Sequence, residues 1–117
     1  MTEPTLYGIK NCDTVKKARQ WLDSNDVNYQ FHDFRADGLN ETKIHDWIAA
    51  LGLEAIINKR STTWKGLSDA QKLEIFDVSH APALIVANPT IIKRPVLETA
   101  SATQVGFKPE QYAATFG

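Results

Sequence analysis

Apolar positions along this 117-residue chain recur with two periods, one suited to strands and one to helices. Thr5-Leu6-Tyr7-Gly8-Ile9 is a short β-prone run, followed by the polar turn Lys10-Asn11. From Thr14 the spacing becomes helical: Val15, Ala18 and Leu22 share one face, with Trp21 beside them. Asn25-Asp26 closes that helix, and residues 27–34 predict a second strand rich in aromatics. This is a β-α-β unit, and its crossover length favours two parallel strands joined right-handedly.

Further along, Ile44, Trp47, Ile48 and Leu51 fall at i, i+3, i+4 and i+7, predicting a helix from Asn40 to Gly52. Ser68 and Gln71, three apart and preceded by Leu67, form a capping-box pattern for a helix through Phe76. Between these helices, Asn58-Lys59-Arg60-Ser61-Thr62-Thr63-Trp64-Lys65 is polar and basic, and predicts a surface-lining loop. Ala83-Leu84-Ile85-Val86 stays open: its β-branched content favours a strand, while Pro82 fits the first turn of a helix. Val96-Leu97-Glu98 and residues 103–107 predict a hairpin around 99–102. Pro109 then opens a terminal helix carrying Tyr112 and Phe116. With no repeat or linker to divide the chain, the pattern predicts a single α/β domain, with helices between the first two and last two strands of a small sheet.

Composition narrows the function. Hydrophobic residues at 43% and charged residues at 23% are ordinary globular usage, which argues against disorder. Thirteen Lys and Arg against 14 Asp and Glu leave a formal charge of −1, so the broad positive field of a general nucleic-acid binder is missing and no direct nucleic-acid partner is expected. No apolar run approaches the ~20 residues of a membrane span, and Met1-Thr2-Glu3-Pro4 lacks the pattern of a secretory signal. The single cysteine, Cys12, excludes an internal disulfide and makes a reducing cytoplasm the expected setting. His32, His45 and His80 are scattered without metal-ligand spacing, so no metal is expected. Gly38, Gly52 and Gly66 stand alone, so no nucleotide fingerprint is present.

Cys12 carries the strongest chemical case. It follows a strand at the predicted start of a helix, where unpaired amides and the helix dipole favour a thiolate. A free cysteine titrates near ~8.5, and electropositive helix starts bring it to ~3.5–7.5. Lys10 and Lys16 would help, whereas Asp13 opposes. The competing reading is a small, buried, inert residue. Arg60 and Arg94 are either solvated surface cations or, if they converge on Cys12, an anion cradle able to grip an oxyanion bidentately. Trp64, between Thr63 and Lys65, fits a core less readily than Trp21 and Trp47 do.

Three segments together resemble a known family. Tyr7-Gly8-Ile9-Lys10-Asn11-Cys12-Asp13-Thr14-Val15-Lys16-Lys17-Ala18 resembles the active-site turn of the arsenate reductase (ArsC)/Spx family. Asn58-Lys59-Arg60-Ser61-Thr62-Thr63-Trp64 and Ile92-Lys93-Arg94-Pro95-Val96 resemble its second and third signatures, closest to the YffB-like branch. The resemblance runs over essentially the whole chain. It implies a thioredoxin-like fold with a four-stranded mixed sheet and a helical insertion at about 39–90, a helical Ala83-Leu84-Ile85-Val86, and a cis Arg94–Pro95 bond. By the same resemblance Cys12 is the nucleophile, Arg60 and Arg94 bind the anion with help from Lys10 and Thr14, and Pro95 shapes the thiol site. Lys108 stands where arsenate reductases of this type use a third arginine. A lysine is a point charge without the planar fork, which speaks against arsenate as substrate.

Val15 occupies the place of the second cysteine in the Cys-x-x-Cys of redox Spx regulators. The expectation is therefore a monothiol oxidoreductase with no bound cofactor, whose covalent intermediate is resolved by an external thiol. Glutathione is the natural co-substrate, its two carboxylates oriented by Arg60, Arg94 and Lys108, and a protein disulfide is one candidate substrate. The alternative from another class is a non-enzymatic Spx-like regulatory module that binds a protein partner such as RNA polymerase.

Overall fold

A computed structural model describes residues 3–116 and divides into two compact units, residues 1–38 with 94–117 and residues 39–93. Met1 and Thr2, half of the segment read for a secretory signal, lie outside the described residues, as does Gly117.

The first unit is a four-stranded mixed sheet in the order β2-β1-β3-β4, built from β1 (Thr5–Gly8), β2 (Gln30–Asp33), β3 (Val96–Glu98) and β4 (Thr103–Val105). β1 pairs parallel with β2 and antiparallel with β3, and β3 pairs antiparallel with β4. The register places Phe31 and Leu97 on either side of Leu6. Alternation along each strand puts these three on one face and Tyr7, His32 and Val96 on the other. Helix α1 (Asp13–Ser24) brings Ala18 and Leu22 to the Leu6 face, and the C-terminal helix, Pro109–Phe116, brings Tyr112. Trp21, Val27, Tyr29, Phe107 and Phe116 rim this core. Val15, Ala18 and Leu22 are all buried, as their spacing predicts.

The second strand is shorter than residues 27–34. Asp26 takes a left-handed φ of 56°, and the Val27 amide is used to close α1 on the Leu22 carbonyl, at 2.9 Å. Pairing with β1 therefore begins only at Gln30. β4 stops before Phe107 because Gly106 turns away with φ 77°. The Arg94–Pro95 peptide bond is cis, as the family resemblance implies.

The second unit is helical. Helix α2 (Glu41–Leu51) starts where Asn40 caps the Lys43 amide at 2.9 Å and ends at Gly52, with φ 84°. After it come α3 (Leu53–Ile56), α4 (Thr62–Lys65), α5 (Asp69–Glu74) and α6 (Ala81–Ala87), then a 3-10 turn at Pro89–Ile91; the C-terminal helix is thus α7. The capping box at Ser68 and Gln71 is present, although α5 ends two residues before Phe76. Two readings resolve differently from the propensities. The 58–65 segment is not all loop, because Ser61 accepts from the Trp64 amide at 3.1 Å and nucleates the single turn α4. Residues 83–86 lie within α6, with Pro82 in its first turn. Ile44, Trp47, Ile56, Ile75, Ile85, Ile91 and Ile92 are buried apolar side chains of this unit. Among the described residues no helix is long and apolar enough to cross a membrane.

Candidate functional site

β1 leaves the sheet at Gly8, and the chain turns through Lys10 and Asn11 before α1 begins. Cys12 is the N-cap of α1, with extended dihedrals (φ −111°, ψ 123°), and its carbonyl accepts from the Lys16 amide at 2.9 Å. Its thiol is half-buried and caps no backbone amide, so the sulfur is not committed to holding the helix end. The first-turn amides beside it attract anions. Exposed Asp13 draws on the same field.

Strand pairing gathers further segments at this end of the sheet. The parallel register sets Asp33 opposite Gly8, and the Phe34 amide donates to the Gly8 carbonyl at 2.8 Å. The antiparallel register sets Val96 opposite Tyr7, so Arg94 and Pro95 enter β3 where β1 leaves. The Gly106 amide donates to the Pro95 carbonyl at 2.9 Å, and the chain departs from there through Phe107 and Lys108. Cys12, Lys10, Thr14, Arg94, Pro95 and Lys108 thus come from three separate segments to one end of one sheet. Lys10, Thr14 and Lys108 are exposed, Arg94 is half-buried and Pro95 is buried. Lys108 also opens α7, its carbonyl accepting from the Tyr112 amide at 3.1 Å. Arg60 belongs to the 39–93 unit, where it is exposed and its amide donates to Asn58 Oδ1 at 3.0 Å.

The other residues weighed in the sequence have local roles. His32 Nε2 lies 2.6 Å from the Gly38 carbonyl, and its ring packs on Tyr7 with centroids 4.8 Å apart. His80 pairs with Asp77 at 3.1 Å beside the start of α6. Trp64 is half-buried, edge-on to Phe76 at 5.7 Å, with Lys59 and Lys72 ammonium groups over its ring. Val15 is fully buried, so the position of a second cysteine points into the core of its unit.

Reading the sequence alone missed Asp33. It is 7% exposed, and its Oδ1 accepts from the amides of Arg35 and Ala36 at 2.7 and 3.2 Å. Burial pushes its carboxyl up. The Arg35 and Ala36 amides, together with the charge and the backbone amide of Lys10, outweigh that and hold it below the usual carboxylate range. The available signal was an acid ending an aromatic strand, with turn residues Arg35-Ala36-Asp37 behind it.

A thiol at the start of a helix, on an α/β sheet entered through a cis-proline, defines a thioredoxin-like protein of the arsenate reductase type. The sequence profile of the ArsC family matches residues 7–115, and the chain belongs to that family. A solved YFFB protein is 46% identical and superposes with a TM-score of 0.91, covering 97% of this chain and 99% of the other. An arsenate reductase (ArsC) related protein from Brucella melitensis is 40% identical, with a TM-score of 0.76 and coverage of 98% and 95%. Among curated proteins, an uncharacterized protein of Haemophilus influenzae is 41% identical over 96% of this chain and 97% of its own length. The global transcriptional regulator Spx of Streptococcus pyogenes is 29% identical over 94% and 82%. Family membership, with the helix-capping Cys12, supports a thiol-based redox role.

Proposed function

We propose that this protein is a monothiol oxidoreductase that uses glutathione. The observation carrying this reading is the lone, half-buried Cys12 at the start of α1, with Val15 buried where a resolving cysteine would stand. On a glutathionylated substrate, the Cys12 thiolate attacks the glutathione sulfur and the substrate thiolate leaves. A second glutathione then attacks the Cys12 mixed disulfide. Glutathione disulfide departs, and the Cys12 thiolate is regenerated. Two glutathione thiols are oxidised for each disulfide reduced, so electrons balance. Arg94, Lys108 and Arg60 serve the carboxylates of glutathione, with Lys10 and Thr14 at the thiol turn and Pro95 shaping it. The same thiol could attack an oxyanion centre, with the external thiol again closing the cycle.

Intact-mass analysis after incubation with glutathione disulfide tests this directly. One glutathione should add per chain at Cys12 and come off with reduced glutathione. Arg94→Ala and Arg60→Ala should each slow the reaction about tenfold or more, since a charge-assisted hydrogen bond contributes ~1.5–3 kcal/mol. Absence of the adduct overturns the reading, and unchanged rates in both variants overturn the arginine assignment.

The likeness to Spx supports a second reading, a regulatory module that binds a protein partner such as RNA polymerase. An inert Cys12 together with capture of a polymerase subunit by the purified protein would favour it.

A further inference from the structure

Asp33 ends β2 opposite Gly8, the last residue of β1, and the thiol turn begins immediately beyond Gly8. Its carboxylate is engaged from two segments at once. On its own side it binds the Arg35 and Ala36 amides at 2.7 and 3.2 Å, and its backbone amide donates to Asp37 Oδ2 at 3.0 Å. The Asp37 amide returns a bond to the Asp33 carbonyl at 2.8 Å, closing the 33–37 turn around this residue. On the other side it accepts from the Lys10 backbone amide, two residues before Cys12, with the Lys10 charge nearby. A buried carboxylate held by several amides has little freedom, and what it holds is held firmly.

We infer that Asp33 is a positioning residue: through the Lys10 amide it sets the conformation of the Lys10-Asn11 turn and so the place of the Cys12 sulfur at the start of α1. This deepens the thiol reading above and rests on it. Asp33 touches no reacting atom, and its effect runs through backbone. The acceptor oxygen matters more than the negative charge, because the groups it fixes are amides. Asparagine keeps an acceptor oxygen on a side chain of the same shape, while alanine keeps neither.

The test is the rate of Cys12 alkylation by iodoacetamide at one pH, for each folded protein relative to the same chain unfolded in urea. A wild-type ratio well above one is expected. Asp33→Ala should drop the ratio at least fivefold, and Asp33→Asn should keep it within twofold of wild type. Circular dichroism confirms that each variant is folded. If Asp33→Ala does not fold, Asp33→Ser replaces it: its hydroxyl still serves the 33–37 turn but is too short to reach across to Lys10. A role confined to stability predicts unchanged ratios in every folded variant, and that result overturns the inference while leaving an activated thiol intact. A wild-type ratio of one instead removes the activated thiol, and Asp33's role with it. Equal losses in Asp33→Ala and Asp33→Asn overturn positioning through the acceptor oxygen.

Discussion

Gly8 and Val15 are in such close approach that a Cβ added to Gly8 would lie 2.7 Å from Val15 Cγ2. Val15 is fully buried, so its methyl groups have little room to retreat. The absence of a side chain at residue 8 is what lets α1 start directly against the end of β1. Gly8→Ala should therefore destabilise the protein by about 1–3 kcal/mol through overpacking. Shortening the opposing side chain should relieve the clash. In urea melts the double variant Gly8→Ala/Val15→Ala should lose less than the sum of the single losses. Additive losses would mean that the two side chains do not meet as described.

The helices of this protein were legible where one apolar stripe repeats against polar neighbours. Val15, Ala18 and Leu22 in α1, and Ile44 and Trp47 in α2, are buried as their spacing predicts. The stretch from Ala81 to Ala87 is apolar all round, so it carries no stripe to read, and periodicity could not separate helix from strand. Thr62–Lys65 was hidden for the opposite reason: Ser61 caps it from within a polar run whose composition suits a loop equally well. Cys12 was legible because a helix start is a local feature. Asp33 was not, because its partners at Gly8 and Lys10 depend on strand register across more than twenty residues of chain.

The caps give a second prediction, in the 39–93 unit. Ser68 Oγ accepts from the Gln71 amide at 3.1 Å, and Gln71 Oε1 accepts from the Ser68 amide at 3.0 Å. Ser68→Ala should cost about 1 kcal/mol and Ser68→Gly only a few tenths, because glycine is itself a tolerated N-cap. Chemical denaturation separates the two. An alanine variant as stable as wild type would show that α5 does not depend on this box.

Asp33 makes stability depend on pH with a definite sign. Its folded carboxyl titrates below its ordinary value of 3.8, so the charged form is favoured by folding. The stability this contributes is fully present above that ordinary value and is lost as pH falls through the lower folded one. The stability difference between wild type and Asp33→Asn should stay level from neutral pH to about pH 5 and narrow below about pH 4. A gap that widens on acidification would reverse the assignment.

Tyr112 offers the opposite case, a buried group whose polar atom adds nothing. Its side chain is fully buried among Trp21, Phe107 and Phe116, and its hydroxyl has no hydrogen-bond partner among the described residues. Burial pushes its ionisation well above the ordinary tyrosine range. Tyr112→Phe keeps the ring packing and removes the desolvated hydroxyl, so stability should rise by about 1 kcal/mol. A loss of similar size would show that the hydroxyl is satisfied in solution.

Val15 also decides how the proposed reaction cycle ends. It lies three residues after Cys12 on the same helix, where a thiol would stand close enough to attack a disulfide on Cys12. In wild type, a Cys12–glutathione adduct has no internal route of release and should persist until a second thiol is supplied. Val15→Cys provides that route. Cysteine is smaller than valine and should be accommodated at residue 15 with only a modest packing loss, about 0.5–1.5 kcal/mol. Once glutathionylated at Cys12, this variant should expel glutathione and keep a disulfide between Cys12 and the introduced thiol, seen by intact mass as loss of the adduct without added thiol. If the adduct persists in Val15→Cys as long as in wild type, the missing second thiol is not what makes the cycle depend on an outside molecule.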